Sequence, residues 1–177
     1  AIEYETKEQA YKTTDVSIVI PIYEPNSNIV DNVMSIVKSN PKEIIIVADM
    51  TCYEEIKGMI ESAALSTPLL LLKEDKPGKR VAMVTGMKAS SGSLICFVDD
   101  DVMFADNLLD HLVLPFCKYD SVAGVGCKQI AKPNNGRKHL NVYEVLADMR
   151  LAARYIEIRA TTTVDKGASC ISGRTAC

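Results

Sequence analysis

Short apolar runs alternate along the chain with segments in which apolar residues recur at helical spacing. The runs are rich in Val, Ile and Leu and end at Gly, Pro or acidic residues, which is typical of strands buried in a parallel sheet. Strands followed by short helices favour an α/β fold with a mostly parallel sheet and helices on both of its faces. The predicted strands are 16–22, 43–48, 69–72 and 94–98, and the predicted helices are 29–39, 52–63, 80–90 and 108–116, the last with Asp106 as its N-cap.

Two of these segments carry more detailed expectations. In the helix at 80–90, Val81, Val84 and Met87 or Lys88 share one face at helical spacing. The run at 94–98 holds five apolar residues without a break, which predicts a strand that is buried on both faces.

A longer segment, 140–158, has apolar residues over a wide arc of one predicted helix, with Arg150, Arg154 and Arg159 between or beside them. A helix with so wide an apolar arc must bury against two partners. One interpretation is packing between the sheet and a later part of the same domain. The other is a helix that lies in a membrane interface with its arginines at the lipid headgroups.

The composition is that of an ordinary globular domain. The 177 residues are 47% hydrophobic and 24% charged with a formal net charge of −3, so the charge gives no support to nucleic-acid binding. No apolar run approaches the roughly 20 residues of a membrane span, and residues 1–15 are too polar for a signal peptide. The six cysteines form no Cys-x-x-Cys pair, so reduced core thiols are expected rather than disulfides or a zinc site.

Three consecutive acids follow the strand predicted at 94–98. Side chains alternate along a strand, so Asp99 and Asp101 are expected to point to one side and Asp100 to the other. Two carboxylates on one side repel each other unless a cation lies between them, and a hard divalent cation that also binds phosphate oxygens suits them. The alternative is a solvated acidic turn that caps the next helix, and the acidic run alone does not decide between the two.

Side chains that follow four different strands are expected to meet at the carboxyl edge of the sheet, where open α/β sheets bind ligands. An aromatic ring there can stack on a nucleobase, carboxylates can accept hydrogen bonds from a base or a ribose, and a Lys with a metal can neutralise a diphosphate. Each residue alone has a simpler role as a helix cap or a solvated side chain, but together they predict a nucleotide-diphosphate pocket. In chain order they are Tyr23 and Glu24, Asp49, Lys79 and Arg80, and Asp99 to Asp101.

The motifs at these strand ends resemble those of a known family. The segments 16–24, 44–49, 78–83 and 95–101 are similar to the successive motifs of inverting family-2 glycosyltransferases with the GT-A fold. Segment 165–174 resembles the one that lines the acceptor side in membrane polysaccharide synthases of the hyaluronan, chitin and cellulose type. The resemblance covers nearly the whole chain from Asp15, and the order and spacing of the motifs make it specific.

The resemblance implies a GT-A fold, which is a Rossmann-like nucleotide-diphospho-sugar transferase fold, and a role for each matched residue. Asp99 and Asp101 would bind the diphosphate and the sugar through Mg²⁺ or Mn²⁺, and Lys79 would contact the diphosphate. The residues that would hold the uridine of a UDP-sugar are Tyr23, Glu24 and Asp49.

The resemblance also implies an acceptor side and a larger parent protein. Ser172, Gly173 and Arg174 would lie beside a glycan acceptor, whose hydroxyl would take the sugar with inversion during polysaccharide synthesis. The parent would be embedded in a membrane with this part at its cytosolic face, and nucleic acid is not an expected partner. Residues 1–15 would be a lead-in segment, and 16–177 would form an incomplete GT-A domain.

The chain departs from the family pattern in ways that bear on activity. The family often has Asn-Glu after the aromatic residue and Asp-Asp-Gly-Ser at the second strand, where this chain has Glu24-Pro25 and the segment 48–51. In the family, the general base lies in a further acidic motif, and a Trp-containing motif follows it. This sequence contains no Trp. We therefore expect the donor site to be present and the base to lie beyond Cys177, so that the 177 residues alone would be inactive; Asp148 and Asp165 are the only nearby acids that could replace it.

Two other functions fit parts of the pattern. The first is a binding module with a nucleotide-sugar fold and no turnover, because the base is missing. The second is a phosphoryl-transfer domain with an acidic cluster, such as a receiver or a haloacid-dehalogenase-like phosphatase. Those phosphatases have Asp-x-Asp-x-Thr after an early strand, whereas here the acids follow the fourth strand and lead into Val102 and Met103.

Overall fold

A computed structural model describes residues 11–25, 27–63, 67–120, 122–130, 139–165 and 175–176, with side chains described as far as Glu157. The chain divides into two compact units, one formed by residues 1–125 with 173–177 and the other by residues 126–172. The strands are β1 (Val16–Ile22), β2 (Glu43–Asp49), β3 (Leu69–Glu74), β4 (Leu94–Val98) and β5 (Thr175–Ala176). The helices are α1 (Ile29–Val37), α2 (Tyr53–Ser62), α3 (Lys79–Ala89), α4 (Leu108–Lys118) and, in the second unit, α5 (Val142–Asp165).

The sheet has the strand order β3-β2-β1-β4-β5. β1 to β4 are parallel, and the two-residue β5 pairs with β4 in the antiparallel direction, so the expectation of a mostly parallel α/β sheet is confirmed. The chain runs outward from β1 to β2 and β3 and then returns to place β4 on the other side of β1. Right-handed crossovers therefore put α1 and α2 on one face and α3 on the other. The boundary between β1 and β4 is the topological switch point, where ligands bind in open α/β sheets.

β1 and β4 have the predicted bounds, but β4 is less buried than expected. Every residue of β1 is buried, whereas in β4 only Cys96 and Val98 are fully buried and Ile95 and Phe97 are half-buried. α3 packs over β1, β2 and β3. The side chains of β4 on that face therefore lie at the margin of the apolar layer, and burial on both faces was a wrong prediction.

α3 packs on the sheet through a face other than the one that carries Val84 and Met87. Val84 and Met87 are 43% and 44% exposed, while Ala82 and Gly86 are buried. A Cβ atom on Gly86 would lie 2.3 Å from Cγ1 of Val19. The helix lies so close to β1 that only small side chains fit between them, which is why the large apolar residues face outward.

Two other boundaries differ from the sequence-based expectation. α4 follows Asn107, not Asp106, as its N-cap, with Asn107 in the left-handed region at φ 59°, which Asn tolerates better than most residues. α5 runs from Val142 to Asp165, so it starts after the predicted 140 and extends beyond 158. Within the part of the chain that the structure describes, no helix is both long and apolar enough to cross a membrane.

The amino edge of the sheet is closed by a hydrogen-bond network around Glu43. Its Oε1 accepts from the hydroxyl of Ser17 at 2.6 Å and from the N–H and hydroxyl of Ser91 at 2.7 and 2.9 Å. The N–H of Gly92 donates to Ser17 Oγ at 2.8 Å. Burial raises the pKa of Glu43, but the hydrogen bonds from Ser17 and Ser91 outweigh it, and the net pKa is lowered. This network ties the loop before β4 to β1 and β2.

Candidate functional site

A cleft of about 470 Å³ opens at the carboxyl edge of the sheet, between the ends of β1 to β4 and the start of α3. All six residues expected on the donor side line this one cleft, so the side chains that follow four separate strands do meet. Arg80 is exposed and is not part of the lining that the described residues form. The lining consists of Pro21, Ile22, Tyr23, Glu24, Asp49, Glu74, Lys76, Gly78, Lys79, Ala82, Asp99, Asp100 and Asp101.

Two of the acids in the cleft are placed there by the alternation of side chains along their strands, and a third is placed there by an ion pair. Val47, Leu72 and Phe97 belong to the apolar layer beneath α3. The residues two positions after Val47 and Leu72 point to the same face, and they are Asp49 and Glu74, the last residues of β2 and β3. Asp99 follows β4 and is held near the start of α3 by its ion pair with Lys79. In the strand order β3-β2-β1-β4 the three acids form a row of carboxylates at the carboxyl edge, beside the first turn of α3. The first turn of a helix carries free N–H groups and a partial positive charge.

Asp49 is fixed by its own turn. Its Oδ1 accepts from the hydroxyl of Thr51 at 2.7 Å and from the N–H of Thr51 at 2.9 Å. These two bonds lower the pKa of Asp49, and the bond from the hydroxyl has the larger effect. The side chain is therefore a carboxylate at neutral pH. Both bonds end on Oδ1, and among the described residues Oδ2 is the oxygen left for a ligand.

Glu74 lines the same cleft and was not among the predicted site residues. The N–H of Met50 donates to its carbonyl at 3.0 Å, and its Oε2 accepts from the hydroxyl of Thr85 on α3. The Thr85 bond and the N–H of Lys76 lower the pKa of Glu74. The apolar run that predicted β3 ends at Leu72, so the strand seemed to stop before this acid. The signal available in the sequence was that β2 also ends in an acid, Asp49. In the structure the two acids are register partners.

α1 holds the acidic loop in place through polar side chains. The side-chain N–H of Asn32 donates to the carbonyl of Asp100, and the N–H of Phe104 donates to Ser35 Oγ at 2.9 Å. Asn32 is buried, so the hydrogen-bonding need of its amide fixes where the loop after β4 runs. These two contacts join residues about 70 positions apart, and they had no signal in the periodicity of the sequence.

The expectation that Asp100 points away from its neighbours is wrong. β4 ends at Val98, and the N–H of Val102 donates to the carbonyl of Asp99 at 3.2 Å. This bond closes a turn, so strand alternation does not continue through the acids and all three line the cleft. Burial, and then the charge of Asp101, raise the pKa of Asp100.

Lys79 forms an ion pair with Asp99 at the mouth of the cleft. Lys79 is the first residue of α3 and follows Gly78, whose φ of 128° is open to Gly and strained for other residues. The side chain of Lys79 is 50% exposed and that of Asp99 is 18% exposed. The pair keeps a positive charge beside the acids, and it also makes Lys79 a competitor of any cation that binds Asp99.

Replacing Lys79 by Met is therefore expected to separate two effects. Affinity for Mn²⁺ alone should rise about threefold, because a partly exposed ion pair is worth no more than about 1 kcal/mol. Affinity for a nucleoside diphosphate in the presence of Mn²⁺ should fall about tenfold, because a charge-assisted contact to the diphosphate is lost. Calorimetric titration measures both, and Lys88→Met, which removes a lysine from the last turn of α3, is the matched control. Equal changes in the two variants would contradict a role for Lys79 at the cleft.

The acids fit a metal ion that is shared with a phosphorylated ligand. Among the described residues there is no group of three or more His, Cys, Asp or Glu side chains that could hold a metal. Asp99 and Asp101 nevertheless lie at one end of the cleft. Mg²⁺ is commonly bound by one or two carboxylates together with phosphate oxygens and water, so two carboxylates are sufficient for such a site. The expected acceptor-side residues Ser172, Gly173 and Arg174 lie outside the described residues.

Curated proteins similar to this chain are glycosyltransferases. A Type 2 glycosyltransferase of Pyricularia oryzae is 27% identical over 169 residues, which are 94% of this chain and 34% of that protein. The NDP-glycosyltransferase ltbB of Aspergillus luteorubrus is 24% identical over 170 residues, which are 93% of this chain and 42% of that protein. The chain thus spans about a third of the length of the Pyricularia oryzae relative.

A solved structure and a family profile agree with this likeness. The mannosyltransferase PcManGT from Pyrobaculum calidifontis, in complex with GDP-Man and Mn²⁺, matches 76% of this chain and 40% of that chain with a TM-score of 0.60 and 17% sequence identity. At this identity the match shows the fold, which is that of GT-A nucleotide-sugar transferases. The profile described as Glycosyl transferase family 2 matches residues 17–174. The chain that carries this row of acids therefore belongs to glycosyl transferase family 2.

Proposed function

We propose that this chain is the donor-binding part of a hexosyltransferase that takes a UDP-sugar together with Mg²⁺ or Mn²⁺ and passes the sugar, with inversion, to a glycan hydroxyl. The observation that carries the proposal is the single cleft at the switch point, lined by Tyr23, Asp49, Lys79 and the acids after β4. An aromatic ring, carboxylates and a lysine in one cleft are groups that can hold a nucleoside diphosphate. Membership of the family adds support for sugar transfer.

The roles of the residues follow from their positions. Asp99 and Asp101 would hold a divalent cation, which stabilises the negative charge that develops on the leaving diphosphate. Lys79 and the free N–H groups at the start of α3 add positive potential at the same place. Asp49 offers Oδ2 to an N–H of the base, and the ring of Tyr23, which is 58% exposed, is free to stack on it.

The acceptor side belongs to the same proposal. The described acids of the cleft all lie on the donor side, so we assign the general base for the acceptor hydroxyl to a carboxylate outside the described residues. A general base contributes about 10²–10⁴-fold to the rate, so removing that carboxylate is expected to slow sugar transfer by this factor and to leave donor binding intact. A role in polysaccharide synthesis, in a parent protein at the cytosolic face of a membrane, is supported by the resemblance of segment 165–174.

Calorimetric titration of the chain with UDP tests the proposal. Saturable binding at one site is expected with Mn²⁺ or Mg²⁺, and its affinity should fall strongly when EDTA removes the cation. UMP, which lacks the diphosphate, is the matched control and should bind much more weakly. Binding of UDP that is indifferent to EDTA, or no binding of any nucleoside diphosphate, would contradict the proposed function.

A further inference from the structure

The end of the cleft farthest from Asp99 is formed by two carboxylates on neighbouring strands. Asp49 and Glu74 are partners in the register of β2 and β3, and both line the cleft. Register partners in a parallel pair point to the same face, with their strands about 4.8 Å apart. The two carboxylates are therefore close neighbours, and they lie two and three strands away from Asp99.

This placement assigns them to the nucleoside. A ligand whose diphosphate lies at Asp99 and Asp101 extends across β1 toward β2 and β3. Two strand spacings are roughly 10 Å and three are roughly 14 Å. A base attached to that diphosphate through its ribose reaches Asp49, and its outer edge faces Glu74.

The chemistry of this end is that of hydrogen-bond acceptors only. Ionised carboxylates accept and do not donate. Oδ2 of Asp49 is the oxygen left for a ligand among the described residues, and each oxygen of Glu74 accepts one bond, from Thr85 and from the N–H of Lys76 at 3.1 Å. A carboxylate oxygen has room for a second bond. Both carboxylates can thus accept a hydrogen bond from an N–H group of a ligand.

Nucleobases differ in how many N–H groups they offer there. The pairing edge of uracil has one N–H, between two carbonyl oxygens, so it can serve Asp49 and leaves nothing for a second carboxylate. The pairing edge of guanine has the N1–H and the amino group side by side, which are three N–H bonds in all. Guanine can therefore satisfy both carboxylates at once.

We propose that Glu74 is a specificity residue that opens this cleft to guanine nucleotides in addition to uridine nucleotides, so that GDP-sugars are a second class of donor. The proposal rests on the proposed function, because it needs a nucleoside diphosphate in the cleft. Thr85 is a positioning residue in this scheme, since its hydroxyl orients the carboxylate of Glu74 from α3. The lowered pKa of Glu74 agrees with the geometry, because it keeps the side chain an acceptor at neutral pH.

The test is a set of calorimetric titrations with GDP and UDP in Mn²⁺. The wild-type chain should bind both nucleotides. Glu74→Gln should lower the affinity for GDP about tenfold, because one hydrogen bond to a charged acceptor is lost. It should change the affinity for UDP by less than about twofold. Asp75→Asn is the matched control: it makes the same charge change at the next residue, outside the lining of the cleft, and should leave the ratio of the two affinities unchanged.

A second pair of variants distinguishes the loss of a contact to GDP from the loss of folded structure. Thr85→Val removes the hydroxyl that orients Glu74 and should lower the affinity for GDP more than the affinity for UDP. Thr85→Ser keeps the hydroxyl and should bind GDP like the wild type. Thermal unfolding of each variant shows whether it is folded. Equal losses for GDP and UDP in Glu74→Gln would overturn the inference, because they indicate a structural role.

The outcomes also separate this inference from the proposed function. Binding of UDP without GDP in the wild-type chain would overturn the role of Glu74 and leave the proposed function standing. Binding of neither nucleotide would overturn both. Binding of both, with a GDP-selective loss in Glu74→Gln, would support both.

Discussion

Replacing Asp101 by Ala is expected to lower the affinity of the chain for UDP in Mn²⁺ by about 100-fold. Asp101 is exposed and lines the same cleft as Asp99, so its carboxylate is within reach of a cation that enters the cleft from solvent. A charge-assisted contact is worth roughly 1.5–3 kcal/mol, and each 1.4 kcal/mol is a tenfold change in affinity. Affinity for UDP measured in EDTA should be the same for the variant and the wild type, because EDTA removes the cation from both.

Asp99→Ala should have an effect of the same size with a different signature. It removes a carboxylate of the cation site and also releases Lys79 from its ion pair. Part of the loss in Mn²⁺ should therefore persist in EDTA, since Lys79 is no longer held beside the cleft. Asp110→Ala, an exposed acid in the first turn of α4, is the matched control and should bind UDP like the wild type. Unchanged affinity in both Asp99→Ala and Asp101→Ala would remove the basis of the site.

Gly86→Ala is expected to destabilise the chain by about 1–3 kcal/mol, the usual range for overpacking a well-packed interior. A Cβ atom there would lie 2.3 Å from Cγ1 of Val19 and 3.2 Å from Cγ2 of Val47. Both neighbours are β-branched and stiff, and both are fully buried, so α3 has to move away from the sheet. Chemical denaturation measures the loss as a lower midpoint with an unchanged slope.

Gly58→Ala is the control, because it makes the same change in another helix. Gly58 lies inside α2, and a Cβ atom on it would have no neighbour within 4 Å. The added methyl should stabilise the chain by up to about 1 kcal/mol, because Gly is a poor helix former. Opposite signs for the two substitutions are expected. Destabilisation by both, or by neither, would contradict the close approach of α3 to β1.

The strands were predictable because their cores are uninterrupted apolar runs. β1 and β4 end at the predicted residues, since the turn segment that starts at Tyr23 and the acids after Val98 mark those ends in the sequence itself. The convergence of Tyr23, Asp49, Lys79 and the acids followed from the fold class alone, because parallel strands place their carboxyl ends at one edge.

Three features were beyond the reach of periodicity, each for a physical reason. The sheet-facing side of α3 depends on the distance between helix and sheet, so Gly86 packs inward although Val84 is more apolar. The place of Glu74 beside Asp49 in the cleft depends on the register of β3 with β2, which a single strand does not reveal. The path of the acidic loop depends on Asn32, a contact between residues far apart in the chain.

Paramagnetic broadening by Mn²⁺ in the presence of UDP tests the central claim most directly, namely that a cation and a nucleoside diphosphate share the cleft at the carboxyl edge. Broadening of backbone amide signals should be strongest at Asp99–Asp101 and should weaken along the strands toward Glu43 and Ser91. Glu43 lies at the far end of β2, six residues from Asp49, which is roughly 20 Å along a strand. Broadening centred on the Glu43 edge, or on any surface other than the row of acids, would contradict the claim.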